Sequence, residues 1–554
     1  MKHRSRTNTA RLTAVMLALT LMLPLALSGC ARQSHPAAAP APAGPTQSAD
    51  PTQPADPAPG GDGPSAVQLR YAVEGNSLQD FDLGFLQLED KAENMIFSPL
   101  SIKYALGMLN EGTGGETHAQ IAGLIGAYSP RTYRNSAHLS FANAMFIRDS
   151  FESSVKPSYL DTLTAKYGAE VRFDPFTAAE PINGWVKDKT LGLIGNLVKD
   201  DDVTALDFAL INALAIDMEW NEKFLDNTFS VNYAHENYWQ SFPEFVMKAN
   251  FADMDEQISG MRLAATVNNY DIVRELGEDQ IRETVGKAFD EFMRENPDSW
   301  YLQGEGSYEE KKAAYLDTYI EEIGQNYHVT DSNTEFSFYV DDDVKVFGKD
   351  LKAYDGVKLR YVAIMPQSGD LAGYLHTADA GKINRTLGRL KTVRTENFRE
   401  GVVTRITGFM PKFHFEYSLD LIEDLKKMGV TDVFDASKAD LSGITDAPAV
   451  ISSALHKATI EFTQDGIKAS AATMIGGCGA GSDFDYCYDV PVEEIDLTFD
   501  KPFLFFIQDQ DSGEVWFAGT VYEPLKWSEE PQSQSEYGYA GEYSFENFRW
   551  KTGS

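Results

Sequence analysis

The chain has 554 residues, a formal net charge of −35, and 43% apolar content. That length is long for one domain and short for three, and the apolar content is enough for a large core. The acidity excludes nucleic acid as a partner, because phosphates need a basic face; it fits a soluble, self-repelling surface and assigns no function by itself.

Residues 1–30 read as an export signal and not as fold. Lys2, Arg4, Arg6 and Arg11 precede the apolar run LTAVMLALTLMLPLAL. The run ends in Leu27-Ser28-Gly29-Cys30, an order that resembles a bacterial lipobox. The resemblance implies that Cys30 is the lipidated first residue of a mature protein, exported and anchored to the outside of the bacterial cell membrane. The competing reading is an ordinary cleaved signal with an incidental cysteine. Residues 31–65 are Ala/Pro-rich and read as an extended, disordered tether. No later run is long and apolar enough to cross a bilayer. The chain has three cysteines. With Cys30 assigned to lipid, Cys478 and Cys487 remain, in a compartment that permits disulfides.

From residue 79 to 126 the pattern predicts helices joined by a short strand, Met95-Ile96-Phe97. Ser98 is the N-cap of a helix that starts at Pro99. Thr117 opens the next helix. LSFANAMFIRD (139–149) reads as a buried strand, and PINGWVKDKTLGLIGNLV (181–198) as a helix and turn. LDFALINALAIDMEW (206–220) is nearly all apolar, either a central strand or a buried helix. Between residues 233 and 333 lie two acidic amphipathic helices, EDQIRETVGKAFDEFMRE and SYEEKKAAYLDTYIEEIGQNY. They read as an inserted helical subdomain; ordinary helices of the main fold are the alternative. RITGFMPKFHFEYS and SALHKATIEFTQ alternate as strands, the second around His456. Between them LDLIEDLKKMGV is helical, with Gly429 closing it. PFLFFIQDQDSGEVWFAGTV is a hairpin turning at Asp511-Ser512-Gly513. The class is α+β with a large antiparallel component.

Enzyme readings fail on the motifs. There is no Gly-x-Ser-x-Gly elbow and no phosphate loop, and His235-Glu236 lacks the second histidine of a zinc helix. The cysteines are not in metal-ligand spacing with histidine. Asp509-x-Asp511-x-Gly513-Glu514 is too short for a calcium loop and reads as a turn.

Segments spread over the body resemble the serpin family in the family's own order. They are NMIFSPLSI (94–102), GxxGETxxQ (112–120), INGWV…TLGLI (182–194) and LINA…W (210–220). MPKF (410–413), LxxMGVTDVF (425–434), ADLSGI (439–444), LHKA (455–458), KPFLF (501–505) and GEVWFAGTV (513–521) follow. The resemblance implies three β-sheets with surrounding helices and an exposed reactive-centre loop. It places the body over 66–526, and the pattern adds to it the helical insertion near 233–333 and an acidic, aromatic tail over 527–554. It also implies inhibition of serine proteases by a covalent complex, in which the cleaved loop enters the largest sheet and drags the protease along. Loop insertion of this kind is a known example of strand addition and stored strain. No cofactor and no metal are implied, and a monomer is expected.

Within that frame the run QDGIKASAATMIGGCGAGSDFDYCYDV becomes legible. A segment that slides between two strands needs small side chains. Alternation puts Ile467, Ala469, Ala471 and Thr473 on one face and Lys468, Ser470 and Ala472 on the other. The family's hinge glycine matches Gly466. Its cleavage position, about fifteen residues on, falls at Ala480–Gly481, and small residues there suggest elastase-like or subtilisin-like targets. An insertion of ~15 residues at ~3.3 Å each would carry the protease ~50 Å. Two departures stand out. Ile467 replaces the usual Thr or Ser, and the loop is about ten residues longer than is typical of the family. Cys478 and Cys487 flank the expected cut, at a spacing that a disulfide can close; free thiols are the alternative. By the resemblance, Ser98, Ser101, Asn212 and His456 fall where residues hydrogen-bond beneath the opening sheet. Trp220 falls where an aromatic covers the first insertion point. The rival from another class is a non-inhibitory serpin acting as a cell-surface binding module. Ile467 and the long loop favour the rival; the small residues 469–472 favour inhibition.

Overall fold

A computed structural model describes residues 66–89, 91–224, 251, 257–325, 327–332, 335–467 and 490–526, and the backbone of three short strands between 228 and 248. Its central layer is a seven-stranded antiparallel sheet. The order is Met95–Phe97, Val515–Val521, Phe503–Asp509, Leu359–Pro366, Val344–Asp350, Ser337–Val340 and Lys391–Thr392. The KPFLFFI and EVWFAGTV runs are apolar on both faces because this sheet is covered on both sides. Phe503, Leu504, Phe505, Phe506, Val515 and Trp516 are fully buried. Gly513 takes up φ +78° at the hairpin turn, as the Asp-Ser-Gly signal predicts.

A second sheet has five strands. Gln257–Asn269 pairs with Val329–Ser332, with Val246–Lys248 and with Val402–Pro411, which pairs in parallel with Val492–Thr498. The two acidic helices are Glu278–Glu295 and Tyr308–Gln325, between the strands Gln257–Asn269 and Val329–Ser332. They pack around Ile281, Val285, Leu316 and Tyr319. The first part of the 233–333 stretch is therefore strand. In Gln257–Asn269, Met261, Leu263, Ala265, Val267 and Asn269 are buried and the residues between them half-buried. That period of two was available in the sequence.

The third sheet is split. One piece is Glu170–Asp174, Leu139–Arg148 and Phe208–Ile216; the other is Phe413–Asp420, Leu455–Phe462, Gly466–Ile467 and Met218–Glu219. Only Asp217 separates Phe208–Ile216 from Met218–Glu219, so one strand belongs to both pieces. The apolar run 206–220, ambiguous by pattern, is thus a strand. The helix Glu180–Lys189 covers one face through Ile182, Trp185 and Val186. The helix Pro99–Asn110 starts as expected, with Ser98 Oγ accepting from the Ser101 N–H. The next helix begins at Gly115 with Gly114 as N-cap, two residues before Thr117.

Candidate functional site

The split in the third sheet and the short strand that enters it form the site. Among the described residues no ladder joins Phe208–Ile216 to Leu455–Phe462. Between them runs a narrow groove with about 40 Å³ of space open to water. Leu214 and Ile216 line one side, Ala458 and Ile460 the other, and Ile467 closes the end.

At that end Gly466–Ile467 is paired on both sides. Gly466 opposes Glu219, and Ile467 opposes both Met218 and Phe462, each antiparallel. The need for glycine is steric. A Cβ at Gly466 would sit 2.3 Å from the Met218 carbonyl oxygen and 2.7 Å from the Glu219 Cα. Ile467 is 3% exposed, so its bulk has a seat within the sheet. The turn before it is held by the Thr463 N–H and hydroxyl, both donating to the Gly466 carbonyl at 3.1 Å.

Trp220 covers this junction. Its indole Nε1–H donates to the Thr463 carbonyl at 2.9 Å and its backbone N–H to that of Asp465 at 3.0 Å. Its ring meets Phe462 and Phe224 edge-on at 5.3 and 5.7 Å. Exposed charges tie the same end. Lys223 lies 3.3 Å from Asp465 and 3.4 Å from Glu219, which also meets Lys352 at 3.5 Å. Partial burial acts to raise the Glu219 carboxyl, but the two lysines hold it below its ordinary value.

At the far end of Leu455–Phe462, His456 Nε2 accepts a 2.9 Å hydrogen bond from the Ser98 N–H, at the start of the helix Pro99–Asn110. That bond requires an unprotonated Nε2. Burial lowers the imidazole to about 4 even though part of its surface stays accessible. A protonated ring here would face the positive end of a helix. Asn212 belongs to a separate network: its amide donates to Asn143 Oδ1, and Asn143 donates to the Tyr167 carbonyl, both at 2.8 Å. Ser98, Ser101 and His456 are thus joined, and Asn212 is bound elsewhere. The Asn212 Oδ1 atom is buried without a partner among the described residues.

Lys468, Ala469, Ser470, Ala471, Ala472, Thr473, Cys478, Ala480, Gly481 and Cys487 lie outside the described residues, as does Cys30. The anchors on either side of that loop are described: Ile467 in the split sheet and Val490, which leads into Val492–Thr498.

Sequence reasoning missed a buried ion pair. Lys103 Nζ donates to Asp82 Oδ1 at 2.7 Å, and both side chains are fully buried. Burial pushes the Asp82 carboxyl up in spite of Lys103. The signal was present: one lysine inside the apolar run LSIKYALGML demands a buried partner.

The chain matches the family model described as "Serpin (serine protease inhibitor)" over residues 83–256 and 277–524. It is 26% identical over 466 residues to the leukocyte elastase inhibitor of Homo sapiens, covering 79% of this chain and 96% of that protein. It is 24% identical to Iripin-2 of Ixodes ricinus, covering 77% and 87%. The fold resembles the native state of the thermophilic serpin tengpin at TM-score 0.53 and 20% identity, over 83% of this chain and 99% of that one. It also resembles cleaved Serpin 42Da at TM-score 0.51 and 17% identity, over 83% and 100%.

Proposed function

The chain belongs to the serpin family, and from that premise we propose that it inhibits serine proteases as a suicide substrate. The observation that carries the reading is the groove between Phe208–Ile216 and Leu455–Phe462, with Gly466–Ile467 already seated at its end. Gly466–Ile467 is antiparallel to both neighbours, so a continuation of it would meet two strand edges that make no ladder with each other. Pairing with both edges favours entry.

In the proposed sequence, the protease's serine oxygen bonds to the Ala480 carbonyl carbon. The amide bond to Gly481 breaks, and the amine leaves on Gly481 with the proton that the serine hydroxyl gives up. Residues 468–480 then extend the hinge strand and carry the acylated protease with them. Small residues at Ala480–Gly481 suit elastase-like or subtilisin-like pockets, and a relative whose name is leukocyte elastase inhibitor supports the same class. Attachment to the outer face of the membrane through Cys30 would place this trap at the cell surface. A Cys478–Cys487 disulfide would tie the two cleaved halves together, so the oxidised protein should be the poorer trap.

The test mixes residues 66–554 with an elastase and a subtilisin, with and without mild reductant, on a denaturing gel. The expected result is a covalent band with the mass of the protease plus residues 66–480, and a C-terminal peptide that begins at Gly481. Cleavage with no covalent band in either redox state would favour the binding-module reading. Equal trapping in both redox states would remove the disulfide switch alone.

A further inference from the structure

We propose that the turn of the acidic helical module (residues 295–309) is a docking surface for the target protease, and that it receives a basic patch beside the protease's active-site cleft. The proposal rests on the inhibitor reading above and adds a second contact to it.

Placement is the first argument. The module leaves the five-stranded sheet after Asn269, which is opposite Val402. The neighbouring Val403 is aligned with Val492, and its N–H donates to the Pro491 carbonyl at 2.9 Å. The root of the module and the point where the loop re-enters the sheet therefore share one sheet end, two strand spacings or about 10 Å apart. Eighteen residues in each helix give arms of about 27 Å. The ten residues from the expected cut to Val490 reach at most about 35 Å. A protease of ordinary domain size held on the loop spans distances of this order.

Chemistry is the second. Residues 272–325 contain fourteen acidic and six basic residues. The basic ones are all taken up internally: five in ion pairs, and Lys311 on the Leu302 carbonyl at 2.7 Å. Glu295, Asp298, Glu305 and Glu309, around the turn, are exposed and have no ion pair among the described residues. Between them stand Trp300, 53% exposed, and Tyr308, 37% exposed. Both are braced from below. Trp300 lies against Tyr301, whose ring meets the buried Phe289 edge-on, and the Tyr308 hydroxyl donates to Asp290 at 2.7 Å. A fixed aromatic anchor inside a charged rim is the composition of a binding hot spot. The module has its own small core, so the turn is presented on a rigid support.

The test compares the unsubstituted protein with E295Q/D298N/E305Q/E309Q and, separately, with W300A. The readout is the second-order rate of covalent-complex formation with one strongly basic and one acidic serine protease, at low and high salt. With the basic protease at low salt, the quadruple variant should be roughly tenfold slower and should lose most of its salt dependence. W300A should be slower at both salt levels. Neither variant should change the fraction of loop cleavages that end in a trapped complex, or the rate with the acidic protease. Unchanged rates with the basic protease would overturn the docking surface and leave the inhibitor reading standing. Equal slowing with both proteases would mean structural damage and would also overturn it. Failure of the unsubstituted protein to trap any protease would overturn both.

Discussion

His456 and Lys103 show how single buried polar groups set the terms of this fold. Burial holds the His456 imidazole at about 4 in the folded chain, against an ordinary 6.5 when it is free in water. The unfolded chain therefore binds the extra proton first. Stability from this group is complete above about pH 6.5 and falls as pH drops toward 4, by up to about 3 kcal/mol in total. Asp82 and Glu514 act in the opposite sense. Burial raises both carboxyls, so their contribution is present in acid and fades as pH rises. The expected outcome is that urea unfolding at pH 7.5 and pH 5 differs less for H456Q than for the unsubstituted protein, since glutamine has an oxygen to accept the Ser98 N–H at either pH. An unchanged pH slope would remove His456 from the account. Lys103 supplies a second prediction. K103M leaves the buried Asp82 with the Gln79 N–H but no cation, at a cost of about 3–5 kcal/mol, whereas D82L/K103M should recover most of that in the same urea measurement.

At the scale of elements, the hinge strand carries the most information per residue. Gly466 has a carbonyl 2.3 Å from where a Cβ would stand. G466A should therefore unseat the hinge and lower stability by about 1–3 kcal/mol, with protease nicking in the 468–489 segment becoming faster. Alternation places Ala471 on the face of Ile467, which is buried. An A471R chain should still be cut but should form no covalent band, because a charged side chain would have to enter the sheet interior. A covalent band of normal yield would argue against insertion on that face. Most other elements were readable: the hairpin at Asp511-Ser512-Gly513, the cap at Ser98, and the alternation around His456. Two readings moved. Residues 257–269 are strand, with buried positions repeating every two residues from Met261 to Asn269. Asn212 bonds to Asn143, a partner 69 positions away that no local pattern points to.

For the molecule as a whole, the split sheet is the feature with the largest energetic consequence. The strands Phe208–Ile216 and Leu455–Phe462 make no ladder with each other among the described residues, and one short strand bridges them. Filling the groove would add ladder bonds to two edges whose apolar side chains Leu214, Ile216 and Ile460 are already buried. Cleavage near Ala480–Gly481 by any protease should therefore raise Tm clearly, even though it breaks the chain. An unchanged or lowered Tm after complete cleavage would sink the insertion mechanism.

Sequence by itself determined what depends on neighbours along the chain: the apolar runs of the central sheet, the helix cap at Ser98, the turn glycines, and the small-residue stretch after Gly466. It also determined family membership, because many short motifs in a fixed order are specific jointly even where each is weak. Tertiary structure decided what depends on residues distant in sequence. It showed that the strands at 208–216 and 455–462 make no ladder with each other among the described residues, that Ile467 is seated between Met218 and Phe462, and that Lys103 meets Asp82. It placed the acidic module at the sheet end where the loop returns. Each of these is a pairing across many residues, set by which edges and cavities the packed molecule leaves open, and local periodicity carries no record of that.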